Sequence, residues 1–199
     1  MKVTPHKQEH ILEAAIRRFA HFGIQKTTLT EIADDVAISK QALFYYFPDK
    51  PSLIAAVEEK IIAEYIQQAE EGFARSGNVE EAMVKLLEAR KKLLEEYYML
   101  VVALINSGSP GVHENIEQVR KKMEAKELTL VTALLQRGVE TGELKAVDAA
   151  KTAALLLETL SAFAQCAVEG VSIPDPKMFS SLYQKQKEVL HLFYNGIKN

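Results

Sequence analysis

The sequence contains very little cysteine and no long hydrophobic run. Its single cysteine, Cys166, has no second thiol to pair with, so an intramolecular disulfide is excluded and a reducing compartment is favoured. The longest purely apolar run, Tyr97–Ile105, has nine residues; roughly 18 to 20 are needed to cross a bilayer. The first ten residues contain no apolar segment typical of a secretion signal. These absences predict a soluble, cytoplasmic protein.

Glycine and proline are also scarce, with nine and six among 199 residues, and most of them separate segments of helical periodicity. The sequence shows neither sustained period-two alternation nor a hairpin turn signal. It therefore predicts an all-α protein. The pattern gives about nine helices if the long helix that ends at Ile105 is interrupted near Glu95.

A strong excess of charge of either sign is missing as well. The chain has 24 basic and 27 acidic residues, a net charge of −3, which does not by itself indicate a nucleic-acid-binding protein. The first 50 residues hold seven basic and six acidic side chains. Any affinity for DNA must therefore depend on where the donors lie rather than on bulk charge.

The first 50 residues have the outline of a helix-turn-helix. A first helix is predicted over about residues 5–21. Thr28–Glu31 matches a capping box that begins a short second helix. Ser39 suits the N-cap of a third helix over about residues 40–47, which Pro48 ends. In such a motif the third helix places its N-terminal residues in the major groove.

The side chains of the third helix suit contacts with base edges. Lys40 and Gln41 can hydrogen-bond to bases, and Ala42 can touch a thymine methyl group. Four further side chains can meet phosphate oxygens, namely Thr28, Tyr45, Tyr46 and Lys50. The alternatives are that the tyrosines pack in the core and that the lysines are solvated, while capping by Thr28 is compatible with a DNA contact.

A larger set of residues within 8–53 forms a recognisable pattern. It comprises Ile11, Ala14, Ala15, Phe19, Gly23, Ile24, Thr27, Thr28, Glu31, Ile32, Ala33, Ile38, Ser39, Lys40, Leu43, Phe44, Tyr45, Tyr46, Phe47, Asp49, Lys50 and Leu53. This pattern resembles the N-terminal domain of the TetR family of bacterial transcriptional regulators. The stretch 138–144 also resembles the link into the dimerisation helices of that family.

The resemblance implies a homodimeric repressor that binds a palindromic operator and releases it when a small-molecule effector binds. Residues 1–48 would form the DNA-binding domain, and residues 49–199 the ligand-binding and dimerisation domain. The alternative is an activator or a regulator without an effector. The implied DNA contacts are Thr28, Thr30, Lys40, Gln41, Ala42, Tyr45, Tyr46 and Lys50. The N-cap residue Ser39 is predicted as a further DNA contact.

Two positions depart from the family pattern. Ala37 stands in the turn where the family usually has glycine, so the turn must either avoid a positive φ or accept strain of about 1 kcal/mol. Phe44 stands where the family usually has tyrosine, which removes one hydroxyl that could bind phosphate.

A competing enzyme interpretation comes from the N-terminus. His6-Lys7-Gln8-Glu9-His10 fits the H-x-x-E-H pattern of one zinc peptidase group. We expect solvated histidines instead, because the pattern lies in the first turn of the first helix and no second ligand motif accompanies it. The prediction is a protein that is not an enzyme and has no cofactor or bound metal.

The region after residue 50 is predicted to be a helix bundle, which can bind a ligand between its helices. Arg90 and Tyr97 lie on the apolar stripe of the fifth helix and are the candidate ligand contacts. The alternatives are that Arg90 extends to the edge of the helix or pairs with a glutamate, and that Tyr97 packs in the core. Homodimerisation is predicted through the last two helices, over about 148–168 and 176–197. Their proposed partner-facing stripes are Ala149, Ala153, Leu156, Leu157, Leu160, Phe163, Ala164, Ala167, Phe179, Leu182, Gln186, Val189, Leu190, Phe193 and Ile197. The alternative for much of this set is the core of a single subunit, since helices of one bundle also bury such stripes.

Overall fold

The computed structural model describes residues 5–105, 112–168 and 175–199. In these ranges the chain forms eight helices: α1 (Pro5–Phe22), α2 (Leu29–Asp35), α3 (Lys40–Tyr46), α4 (Lys50–Arg75), α5 (Val79–Ile105), α6 (Val112–Glu140), α7 (Ala149–Val168) and α8 (Pro176–Ile197). The prediction of an all-α fold is confirmed. Over the described residues, none of the helices is long and apolar enough to cross a membrane.

The described part of the chain has one helix fewer than predicted because α5 is not interrupted near Glu95. No glycine or proline lies within α5. The Lys91 ammonium lies 2.6 Å from the Glu95 carboxylate, an i,i+4 pair that supports the helix where the break was expected. The loop predicted from Ser107 to Gly111 lies outside the described residues.

Local side chains determine where several helices begin. Ser39, Asp49 and Asn78 each accept a hydrogen bond from the backbone amide three residues later, at 3.1, 2.7 and 2.8 Å. Such caps satisfy amides that have no partner within the helix. The starts of α3, α4 and α5 are therefore set by short-range chemistry.

The chain divides into two compact units, Met1–Ile62 with Tyr97–Val119 and Ala63–Glu96 with Arg120–Asn199. In the first unit, α2 contacts both α1 and α3. Its core includes the fully buried side chains of Phe19, Ile32 and Leu43. Packing of Leu43 holds one face of α3 inside this unit. The predicted functional boundary after residue 48 stays a prediction.

The second unit has its own core, built around Tyr65, Met83, Leu86, Leu87, Leu135, Leu156, Leu160 and Leu190. In it, α7 packs against α8. This contact corrects much of the proposed partner-facing stripe, since the following members are buried within the subunit: Ala149, Ala153, Leu156, Leu157, Leu160, Phe179, Leu182, Gln186 and Leu190. The two helices bury these residues against their own unit, so they are unavailable to a second copy.

A tight corner follows α6. Gly142 has a φ of +76°, and the Leu144 amide donates to the Gly138 carbonyl at 3.0 Å. The Lys145 amide donates to the carbonyl of Ile197 at 2.8 Å, which joins the corner to the end of α8. The corner therefore depends on close packing around Gly138.

We expect Gly138→Ala to lower the free energy of unfolding by about 1–3 kcal/mol, because it overpacks a filled site. A Cβ at this position would lie 2.8 Å from side-chain carbons of Leu144 and Val79. Urea denaturation at neutral pH measures the effect. Gly196→Ala is the matched control, since its Cβ would meet nothing within 4 Å. Equal stability of the two variants would contradict the packing argument.

Candidate nucleic-acid interface

The turn between α2 and α3 is a Schellman motif built around a strained alanine. Ala37 has a φ of +52°. Its amide donates to the Asp34 carbonyl at 3.1 Å, and the Ile38 amide donates to the Ala33 carbonyl at 3.0 Å. Of the two conformations expected for this turn, it has the one with a positive φ, which costs about 1 kcal/mol for a non-glycine residue. Its geometry is that of a helix-turn-helix despite the missing glycine.

The two faces of α3 differ sharply in exposure. Leu43 is fully buried and Phe47, at the C-cap, is 4% exposed. Lys40, Gln41 and Tyr45 are exposed on the opposite side. A short helix held by apolar anchors therefore presents a polar N-terminal half to a partner.

The remaining predicted contacts around α3 are accessible to different extents. Ser39, Thr28 and Thr30 are exposed, whereas Ala42 and Tyr46 are half-buried. The Tyr45 and Tyr46 rings meet edge-on with centroids 5.8 Å apart. Phe44 is 39% exposed, and the Lys40 ammonium lies 5.7 Å from its ring centroid. The exposed Phe44 ring has no hydroxyl with which to bind phosphate, as the departure from the family pattern implied.

Thr28 is engaged within its own helix cap. Its amide and hydroxyl donate to the Glu31 carboxylate at 2.7 and 2.8 Å, and its hydroxyl oxygen accepts from the Glu31 amide at 3.2 Å. The predicted capping box is therefore present. These hydrogen bonds lower the pKa of Glu31, so its carboxylate is charged at neutral pH beside a predicted phosphate contact.

Lys50 begins α4 and reaches back to the loop before α2. Its ammonium lies 3.5 Å from the Gln25 carbonyl. Partial burial lowers the pKa of Lys50, and the nearby Glu31 carboxylate opposes that shift. Thr28 and Lys50, two of the predicted phosphate contacts, therefore both interact with the Glu31 carboxylate.

Sequence reasoning missed Arg18, which links α1 to α2. Its guanidinium donates to the two oxygens of Asp35 at 2.5 and 2.9 Å and lies 3.4 Å from the Glu31 carboxylate. The hydrogen bond from Arg18 lowers the pKa of Asp35. No local motif could signal these pairs, because 13 and 17 positions separate the partners along the sequence.

Comparison with known proteins agrees with this geometry. Residues 11–57 match the model of the family described as "Bacterial regulatory proteins, tetR family". The crystal structure of a transcriptional regulator from Cytophaga hutchinsonii has 27% identity, covers 97% of this chain and 99% of its own, and superposes with a TM-score of 0.83. The chain belongs to the tetR family. It is therefore a DNA-binding transcription regulator and not an enzyme.

Two further relatives of this tetR-family chain extend the comparison. The HTH-type transcriptional regulator RutR of Escherichia coli K12 is 24% identical over 96% of this chain and 91% of its own. A structure described as a putative transcriptional regulator from Saccharomonospora viridis in complex with choline is 15% identical, covers 98% of this chain and 100% of its own, and has a TM-score of 0.70. The likeness to both covers nearly the whole chain.

Of the two candidate ligand contacts of this tetR-family chain, Arg90 is paired within the protein. Its guanidinium donates to both oxygens of Glu127 at 2.8 and 2.7 Å, and the Tyr65 hydroxyl donates to the same carboxylate. The side chains of Arg90 and Glu127 are 12% and 1% exposed. Burial and then the charge of Glu127 raise the pKa of Tyr65. Arg90 thus has the glutamate partner that was one of the expectations.

Tyr97 is buried and belongs to the first compact unit, whereas Arg90 belongs to the second. Within the second unit, a groove of about 460 Å³ lies between α6 and α7, and Glu127, Ser161 and Gln165 are among its lining residues. Glu127 connects this groove to the buried Arg90, a connection that sequence reasoning did not predict.

The histidine motif at the start of α1 is arranged differently from a metal site. The His6 and His10 rings lie 4.6 Å apart, but the ammonium of Lys60 binds the Glu9 carboxylate that would act as the base. Among the described residues, no group of three or more histidine, cysteine or acidic side chains could hold a metal ion.

Proposed function

We propose that this tetR-family regulator is a homodimeric repressor that binds a palindromic operator through α3 and is released by a small-molecule effector. The observation that supports operator recognition is the split of α3 into a buried face around Leu43 and an exposed face carrying Lys40, Gln41 and Tyr45. Residues 1–48 are proposed as the DNA-binding domain, and residues 49–199 as the effector and dimerisation domain.

Selection of bound duplexes from a random DNA pool at stated salt tests the proposal. We expect two inverted half-sites whose centres are about 34–36 Å apart, one turn of B-DNA, because a two-fold dimer presents two copies of α3. A bound pool without enriched sequence, or with a single half-site, would contradict it.

The predicted contacts divide into positioning and sequence-reading groups, and two substitutions separate them. We expect Lys50→Ala to weaken binding to all duplexes and to flatten the salt slope by about one unit, because it removes one phosphate contact. We expect Gln41→Ala mainly to relax sequence preference, since its amide is proposed to meet a base edge.

Fluorescence anisotropy with operator and scrambled duplexes at several salt concentrations measures both effects. A Gln41→Ala variant that loses the same affinity for both duplexes would contradict a role in reading bases. A Lys50→Ala variant with an unchanged salt slope would contradict a phosphate contact.

Homodimerisation is proposed through the outward faces of α7 and α8. Leu155, Phe163 and Leu192 are 60%, 36% and 73% exposed there. A groove of about 430 Å³ between the same helices is lined by Phe163, Met178 and other residues. Exposed apolar side chains and a groove on two adjacent helices support a protein interface there.

The effector is proposed to bind in the second unit, with Arg90 as a ligand contact. Tyr97 stays a separate candidate contact within the first unit. The groove that reaches Glu127 supports this, since a ligand there could compete for the Arg90 guanidinium. A relative with the same fold has been crystallised with choline. We expect effector to lower operator affinity, and operator to lower effector affinity by the same factor, because coupling between sites is reciprocal. Equal effector affinity with and without operator, measured by calorimetry, would contradict release by effector.

A further inference from the structure

The second helix of the motif carries an excess of negative charge close to predicted phosphate contacts. Among its seven residues are Glu31, Asp34 and Asp35, and it has no basic residue. Glu31 is hydrogen-bonded directly to Thr28, which is proposed to meet phosphate. Unpaired carboxylates here would repel the DNA backbone, because like charges near a surface interact over about 10 Å at 0.1 M salt.

We propose that Arg18 is a positioning residue for operator binding: it neutralises the carboxylates of Glu31 and Asp35 and holds α2 against α1, so that phosphate can approach Thr28 and Thr30. This inference rests on the proposed contacts of the helix-turn-helix. It assigns Arg18 an indirect role, through α2, rather than a contact with DNA.

The geometry around Arg18 suits this role. The guanidinium uses two donors on Asp35 and a third nitrogen near Glu31, so one side chain serves two carboxylates on one face of α2. Phe22, one turn later on α1, lies under the same guanidinium at 5.4 Å from its ring centroid. The guanidinium therefore contacts the Phe22 ring while its donors are committed to α2.

A double-mutant cycle tests the inference on the full chain, with operator affinity measured by anisotropy in 0.1 M salt. We expect Arg18→Gln to weaken binding about fivefold, because it leaves two carboxylates unpaired near the phosphates. Asp35→Asn alone should bind as well as the wild type or better. The double variant Arg18→Gln/Asp35→Asn should recover about half of the loss, since one of the two unpaired carboxylates is then neutral.

Recovery distinguishes neutralisation from direct contact. If Arg18 itself bound phosphate, the double variant would bind no better than Arg18→Gln, and that result would overturn the inference. Wild-type affinity of Arg18→Gln would overturn it as well. Lys26→Gln is the control, because it removes the same charge from an exposed lysine before Thr28. Asp35→Asn should change the affinity of this variant by the same factor as it changes that of the wild type.

Circular dichroism shows whether each variant is folded. If Arg18→Gln fails to fold, Arg18→Lys keeps the test open: charge neutralisation predicts binding within about twofold of the wild type, because the positive charge is retained. A folded Arg18→Lys that binds about as weakly as expected for Arg18→Gln would overturn it. Failure of the wild type to bind any duplex would instead contradict the proposed operator recognition.

Discussion

Replacing Leu192 with arginine should convert the protein into a folded monomer and weaken operator binding about a hundredfold, because the two DNA-binding domains would no longer act together. Leu192 is the most exposed large hydrophobic side chain in the described residues, at 73%. Since it contributes little to the core of its own subunit, a charge at this position should act on association rather than on folding. Light scattering gives the mass, and anisotropy gives the affinity.

Leu128→Arg provides the matched control. Leu128 is also an exposed leucine of the second unit, but it lies on α6 rather than on α7 or α8. We expect this variant to remain dimeric and to bind operator as the wild type does. A dimeric Leu192→Arg, or a monomer with full operator affinity, would contradict the proposed assembly.

Replacing Arg90 with methionine should lower the free energy of unfolding by about 3 kcal/mol, because it leaves an unpaired charge in a buried site. The Glu127 carboxylate accepts hydrogen bonds from Arg90 and from the Tyr65 hydroxyl, and the variant would keep the one from Tyr65. Methionine fills a similar volume, so the loss reports the missing guanidinium rather than a cavity. Urea denaturation at pH 7 measures it.

The double variant Arg90→Met/Glu127→Gln separates the charge from the packing. A neutral amide can still accept the hydrogen bond of Tyr65, so we expect it to recover more than half of the lost stability. If the single variant were as stable as the wild type, the buried pair would not stabilise the fold. If the double variant recovered nothing, the guanidinium would stabilise through packing instead of charge.

Short-range chemistry explains how much of this fold could be predicted. Thr28 and Ser39 cap their helices within three residues, so the starts of α2 and α3 follow from the sequence alone. The positive φ of Ala37 was one of two conformations expected for that turn. Exposure of Lys40 and Gln41 follows from the periodicity that buries Leu43.

Contacts between distant segments could not be predicted in the same way. Arg90 and Glu127 are separated by 37 positions, and the pattern of α5 alone could not choose between a ligand and a glutamate. The same limitation applies to the residues of α7 and α8 that were predicted to face a second copy. Apolar periodicity identified residues such as Leu156 that pack within the subunit, whereas Leu155 lies on the outward face one position earlier. An apolar stripe on a helix does not reveal whether its own subunit or a second copy covers it.

The solitary thiol on α7 has a practical consequence. Cys166 is exposed and, with Phe163, lines the groove between α7 and α8. A maleimide dye would attach at one defined atom per polypeptide, because the sequence has no other cysteine. When copies pair through these helices the thiol would be covered, so the rate of maleimide attachment should fall as the protein concentration rises.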